Sequence, residues 1–407
     1  MGGLCSYTPK SKVLPQAPIK KYKTLPTAEE TSKLAEIEVQ AFRGQFKVDD
    51  LKFEDVGSSP ILGEGRECEI PSMGDLLWMY ARASKNENVK GWNGFMSKLY
   101  HFHDCIHEMS RITFLPFVRL PPGDLDTINT TIHMARQKSS QLAQKTTFIT
   151  YDQPLYLKAK GIIASCNIPD TVIRLGGFHM LMSFLGAVGY LMAGSGLTQV
   201  LCTVYAPLSA DKMLSGHAYA RAIRGHFLVH EVLGELILAN AQYRMDEADE
   251  LVQNVVDDSG FSLTDVLQSE ALQTLLLKVQ DSMAQFVNQG STASLWVQYF
   301  NMITLVKNFI IAERTGNWTL HLKCVRNMIP YFYSSGHNLY AKCSHLYLQD
   351  MLKLEDNMDE TEYRQFVDGF FAIGRSEEVW SGIWTDMVIE QQLMRSIKVT
   401  GGLVHGR

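Results

Sequence analysis

Residues 146–193 read TTFITYDQPLYLKAKGIIASCNIPDTVIRLGGFHMLMSFLGAVGYLMA, and their reading sets the fold class. TTFITYDQP has the β-branched and aromatic composition of a strand and stops at Pro154. YLKAKGIIAS is a short helix, and TVIRLGGFH is another strand running into an apolar helix. Upstream, RITFLPFVRL (111–120) reads as a strand punctuated by PPGD. Asp124 or Asp126 then caps a helix with Ile128, Ile132 and Ala135 among its apolar positions. Strand and helix alternating three times predict an α/β layer with parallel strands. Ligands of such layers sit beyond the C-terminal strand ends, where Asp152 and His179 fall.

The apolar stretch 176–193 imitates a membrane span, but it is shorter than the roughly 20 residues a bilayer needs and carries His179 and four glycines. A buried helix is expected, in a soluble protein without a transmembrane segment. The chain has 407 residues, 46% apolar and 20% charged, enough for two or three core-building units. A net charge of −5 excludes wholesale coating of nucleic acid and leaves room for a local basic face. Seven scattered cysteines, odd in number and without C-x-x-C pairs, point to a reduced, intracellular protein, nuclear or cytoplasmic. With no signal peptide at the start, the sequons at Asn129 and Asn317 carry no information.

Residues 1–26 are expected to hold a partial strand and an extended Pro/Lys arm, and 27–110 to be helical and irregular, with a capping box at Thr27 and Glu30. Residues 111–205 form the α/β core. From 206 to 375 strand signals vanish. Ser209 is placed to cap a long helix through HAYARAIRGHFLVHEVLGELILANAQY, and helices follow at 263–288, 293–314, 318–329, 337–354 and 359–372, with breakers at Gly260, Gly290, Gly316, Pro330 and Gly336. Residues 376–407 hold a last helix with Asp386 and Glu390 on one face at i, i+4.

Several motifs have plain alternatives. MDEADE (245–250) has the letters of a helicase motif but no G-x-x-x-x-G-K-[ST] loop accompanies it, so a solvated helix face is expected. In HFHDCIH (101–107) only His103 and His107 pair on a helix, too few ligands for zinc without distant help. Arg221 and Arg224, with Lys212 and His217, are candidates for phosphate contacts, as are Lys158 and Lys160; the alternative is a solvated basic face. Asp152 ends an apolar strand, a costly place for a charge unless it caps the next helix or binds a cation, and both remain open.

FITYDQPLYLKA, VIRLGGFHMLMSFLGAVGYLMAGSGL, LSGHAYARAIRGHFLV, ERTGNWTLHL, SGHNLYAKCSHLYLQ and WTDMVIEQQLMRSIKVTGGL resemble a family of uncharacterised animal proteins associated with DNA-transposon transposases of the RNase H-like type, over most of 146–403. The resemblance implies an RNase H-like mixed sheet with a large all-α insertion, as in hAT-like transposases, and an ancestral site in which carboxylates hold two Mg²⁺ ions. Carried over, Asp152 matches the second acid and Glu390 the last, both metal ligands, with Asp386 beside Glu390 and Glu313 as fallback. His179 resembles the histidine of a [CD]-x-x-H motif, but Gly176 stands where Cys or Asp would. Relatives carry an aspartate-bearing strand before a segment like MGGLCSYTP, so the resemblance makes this chain a truncated piece, catalytically inactive for want of the first acid, with DNA binding retained. A protein-interaction module using the helical region, anchored by Trp296, Tyr299, Phe300, Trp318 and the YFY at 331–333, is the first alternative. An N-acylated peripheral membrane protein, from M-G-x-x-x-[ST] with Cys5 and the following lysines, is the second.

Overall fold

The computed structural model describes residues 1, 3–7, 37–45, 51–56, 59, 61–62, 67–101, 109–116, 118–257 and 262–390. Gly2, most of the Pro/Lys arm, the capping box at Thr27, His103, Cys105, His107 and residues 391–407 lie outside them.

The chain is mostly helical, with a few short strands. In order come β1 (Gly3–Tyr7), α1 (Met73–Ala83), α2 (Trp92–His101), β2 (Arg111–Leu115), α3 (Leu125–Gln141), β3 (Thr147–Tyr151), α4 (Gln153–Cys166), β4 (Thr171–Leu175) and α5 (Gly177–Leu191). The helical region holds α6 (Leu197–Cys202), α7 (Pro207–Leu214), α8 (Tyr219–Asn240), α9 (Asp246–Asp257), α10 (Leu263–Leu267), α11 (Glu270–Val287), α12 (Ser291–Thr315), α13 (Trp318–Ser334), α14 (Asn338–Met351), α15 (Leu354–Asn357) and α16 (Glu360–Gln365). After it come β5 (Ile373–Gly374), β6 (Gly382–Ile383) and α17 (Thr385–Val388).

The strands form three two-stranded ladders among the described residues: β1 with β2 and β5 with β6 antiparallel, β3 with β4 parallel. The parallel pair is the βαβ unit read from TTFITY and TVIRL, with α4 as its crossover. RITFL pairs with GLCSY and not with β3, because the alternation of Leu4 and Ile112 lets that ladder bury one face against Ile373, Ile383 and Val388.

One hydrophobic core runs from Leu62 to Met387 and joins the α/β segment to the helices. At its centre is α12, buried on all sides from Met302 to Glu313, as a helix without a polar face must be. The polar side chains of that stretch all find partners. Asn308 donates to the carbonyls of Cys68 and Ile70, Thr304 meets His230, Glu313 pairs with His321 at 2.7 Å, and Lys307 pairs with Asp75 at 2.8 Å under the faces of Trp78, Trp92 and Phe227. Tyr299, Phe300, Trp318, Tyr331 and Phe332 are core residues, and Tyr333 is exposed.

Several boundaries differ from the sequence reading. The long helix expected from Ser209 is two, α7 and α8. Gly216, at φ +77°, breaks it where a Cβ would lie 2.1 Å from the Met182 carbonyl oxygen, and Ala206 is the cap. Pro330 sits inside α13, whose buried Met328, Tyr331 and Phe332 hold the helix through it. The expected helix 263–288 is divided at Ser269, which caps α11. Residues 376–384 are turns, a single 3-10 turn at Val379–Ser381 and β6, not a continuous α-helix; a Cβ built on Gly382 would stand 2.2 Å from the Glu313 carbonyl oxygen, so only glycine fits there. MDEADE falls largely in α9, as the solvated-helix reading expects.

Candidate functional site

β3 and β4 run in parallel register, Tyr151 opposite Leu175, so the residues after them emerge at one edge. Asp152 turns the chain into α4 in an extended conformation, with Pro154 in the first turn. Its carboxylate does not cap that helix, and Oδ1 is buried without a hydrogen-bond partner. On the other side Gly176 opens α5, which therefore has no side-chain cap of its own.

Asp386 supplies that cap. Its Oδ1 accepts from the Phe178 amide at 3.1 Å, and its Oδ2 accepts from the His179 amide at 3.0 Å and from His179 Nδ1 at 2.9 Å. The donors lie 207 and 208 positions away in sequence. A carboxylate at a helix N-terminus meets unsatisfied N–H groups and the positive end of the dipole. The approach needs two glycines: a Cβ on Gly176 would lie 2.4 Å from Asp386 Oδ2, and one on Gly177 2.4 Å from Trp384 Cδ1. Thr385 donates to Thr150 on β3 at 2.9 Å, fixing α17 beside the strand pair.

The electrostatics follow from the packing. The hydrogen bond to Asp386 raises the His179 pKa against the opposing effect of burial, and the charges of Asp386, Asp152 and Glu390 raise it further. Burial raises the pKa of Asp152, with His179 pulling it down and Asp386 pushing it up. Tyr340, on α14, stands close enough for burial and then the charges of Asp152 and Asp386 to push its phenol up. Cys343, one turn on, meets Gln153, and burial lifts its thiol to about 12.

This cluster lies within residues 91–407, which match the family described as "Domain of unknown function (DUF8702)". The chain belongs to that family. No curated protein and no solved structure matches it.

Three predicted site residues of the DUF8702 domain, Asp152, His179 and Asp386, therefore meet. Glu390 is exposed and acts on His179 by charge, with no hydrogen bond to Asp152. Glu313, the fallback acid, is in the core on His321. The carboxylates do not fit the two-Mg²⁺ arrangement that the resemblance implies. Asp386 spends its oxygens on three N–H donors, which leaves one free buried carboxylate oxygen, on Asp152. Among the described residues no three His, Cys, Asp or Glu side chains are grouped to hold a metal.

The basic candidates divide. Lys158 donates to the Gly123 carbonyl and Lys160 to Asp350, each at 2.5 Å, so both are engaged within the fold. Lys212, His217, Arg221 and Arg224 are exposed on α7, the turn after it and the start of α8; Arg221 donates to Ser209 Oγ at 2.9 Å. Tyr340 escaped the sequence reading, because a single residue in an unrelated helix carries no spacing signal.

Proposed function

We propose that this DUF8702 chain is a DNA-binding protein derived from an RNase H-like, hAT-like transposase whose strand-cleaving centre no longer works. The observation that carries it is the meeting of Asp152, His179 and Asp386 at the end of a parallel strand pair, with Asp386 diverted into capping α5. An ancestral RNase H-like site is built from acids that distant segments bring to one strand end, and this cluster has that origin in the chain. A carboxylate saturated by N–H donors has little left for a cation, so Mg²⁺ chemistry is lost while the scaffold persists. The exposed cations on α7 and α8 supply sequence-independent phosphate contacts, local enough to coexist with a net charge of −5.

The test has two parts. Purified protein with Mg²⁺ or Mn²⁺ is expected to show no strand cleavage, and turnover abolished by Asp152→Ala would overturn the inactive reading. Retention on duplex DNA is expected to fall with salt, and Arg221→Gln and Arg224→Gln are each expected to flatten the salt slope by about 1. Retention indifferent to salt and to both substitutions removes the DNA reading.

One observation favours a protein-interaction role as the second reading. Leu228, Val232 and Leu236 lie at i, i+4, i+8 on α8, 47%, 57% and 57% exposed, along a groove of about 590 Å³ walled by Val204, Phe286, Trp296 and Phe300. A soluble monomer seldom leaves such a stripe open. A partner held in nuclease-treated lysate and released by Val232→Asp, with DNA retention unchanged, would favour this reading.

A further inference from the structure

The groove beside α8 carries a pattern that is complementary to itself. Five of the side chains lining it, Val200, Val204, Leu228, Val232 and Leu236, are between 42% and 68% exposed. Phe286 and Trp296 stand partly exposed in its wall, the kind of aromatic anchor that dominates binding energy once a partner covers it. A small-molecule site would add convergent polar groups to orient its ligand. Here Thr203 spends its hydroxyl on the Val200 carbonyl at 2.7 Å, and the wall is chiefly hydrocarbon and rings. An apolar strip at helical spacing fits the apolar face of another helix.

The chain itself supplies such a helix. On α8 the exposed residues Arg221, Arg224, Leu228, Val232, Glu235 and Leu236 follow one another along one stripe. Its order is basic, then aliphatic, then acidic beside the last leucine. Glu231 is engaged by Arg82 at 2.6 Å, whereas among the described residues Arg224 and Glu235 have no side-chain partner. A stripe of that order matches its own reverse, which is the requirement of a two-fold interface. With the axis crossing α8 near residue 230, Leu228 of each copy lies on Val232 of the other. Arg224 of each copy then reaches Leu236 and the adjacent Glu235 of the other. The two helix dipoles run antiparallel, a favourable arrangement.

We infer that this face is the interface of a two-fold symmetric dimer, the groove of each copy being filled by α8 of the second. The inference rests on the protein-interaction reading above and names its partner. Lys212, His217 and Arg221 lie beyond the aliphatic part of the stripe, so pairing leaves them to phosphate.

Sedimentation equilibrium of the full chain, at low salt and without nucleic acid, tests it. The parent is expected to show the mass of two chains at about 50 µM. Val232→Asp, at an exposed position that leaves the fold intact, is expected to weaken association roughly a hundredfold by burying a charge. Glu235→Arg and Arg224→Glu each set like charges against one another on both sides of the axis, and each is expected to weaken it roughly tenfold. The double variant restores opposite charges and is expected to return to within about threefold of the parent. Within one copy the two positions are 11 residues apart, about 16 Å along the helix, so rescue reports a contact between copies. A parent with the mass of a single chain at that concentration, or a dimer that none of these substitutions weakens, would overturn the inference. Capture from nuclease-treated lysate separates this failure from failure of the reading beneath it. A single-chain parent that holds a different protein, released by Val232→Asp, removes the second copy and keeps the interaction reading. A single-chain parent that holds none removes both.

Discussion

The Oδ2 atom of Asp386 occupies the space that a side chain on Gly176 would fill: a Cβ there would stand 2.4 Å away. The N-cap position of α5 is thus empty of side chain, and a carboxylate from 210 positions later, a separation given by 386 minus 176, reaches the same helix end.

Gly176→Ala should therefore expel Asp386 and cost roughly 2–4 kcal/mol, the sum of overpacking and unmet N–H donors. Chemical denaturation measures it. In an Asp386→Ala background the same change should cost much less, because the colliding group is gone, and additive costs would contradict the contact.

The pH dependence of stability should carry the mark of His179. Its folded pKa lies above the ordinary 6.5, so the fold binds its proton more tightly than the unfolded chain does. Its stabilisation is complete below 6.5 and is lost as pH rises through the folded value. Asp386, Asp152 and Glu390 are the charged groups that act on it. NMR titration should find the imidazole pKa lowered in Asp386→Asn, and the matching slope in denaturant stability should shrink.

Asp152 behaves in the opposite sense from a paired carboxylate. Burial raises its pKa above 3.8, so its contribution to stability falls as pH rises from there through the folded value. Asp152→Asn is expected to stabilise the protein at neutral pH by about 1 kcal/mol. A loss on thermal denaturation would show that the free oxygen has a stabilising partner.

Far from the site, Lys307 and Asp75 form an ion pair with side chains 0% and 1% exposed, and Trp92 Nε1 donates to the same carboxylate oxygen at 2.9 Å. Lys307→Met leaves Asp75 buried without its counter-charge and should cost about 3–5 kcal/mol. Asp75→Leu combined with Lys307→Met should recover most of that, as read by denaturant midpoints.

The parallel pair and its crossover were legible because period and punctuation are local: TTFITY, Pro154 and TVIRL specify them without help. So were the long apolar helices. The wider sheet was not, since pairing partners are chosen by which faces can be buried together, and GLCSY took RITFL. Asp152 and His179 could be placed at strand ends from the chain alone, and Asp386 could be named beside Glu390. Glu390 was the acid chosen from the resemblance, and Asp386, one helical turn before it, is the one that reaches α5.

The sequence by itself determined the βαβ unit, the helical character of the region after residue 206, and two of the three groups in the cluster, since each depends on residues within a turn or a strand of one another. Only the tertiary structure decided that Asp386 caps α5 and that Lys158 and Lys160 are engaged inside the fold. Those outcomes depend on which distant segments exclude water from each other, and in particular on two glycines thin enough to let a third segment close on a helix end.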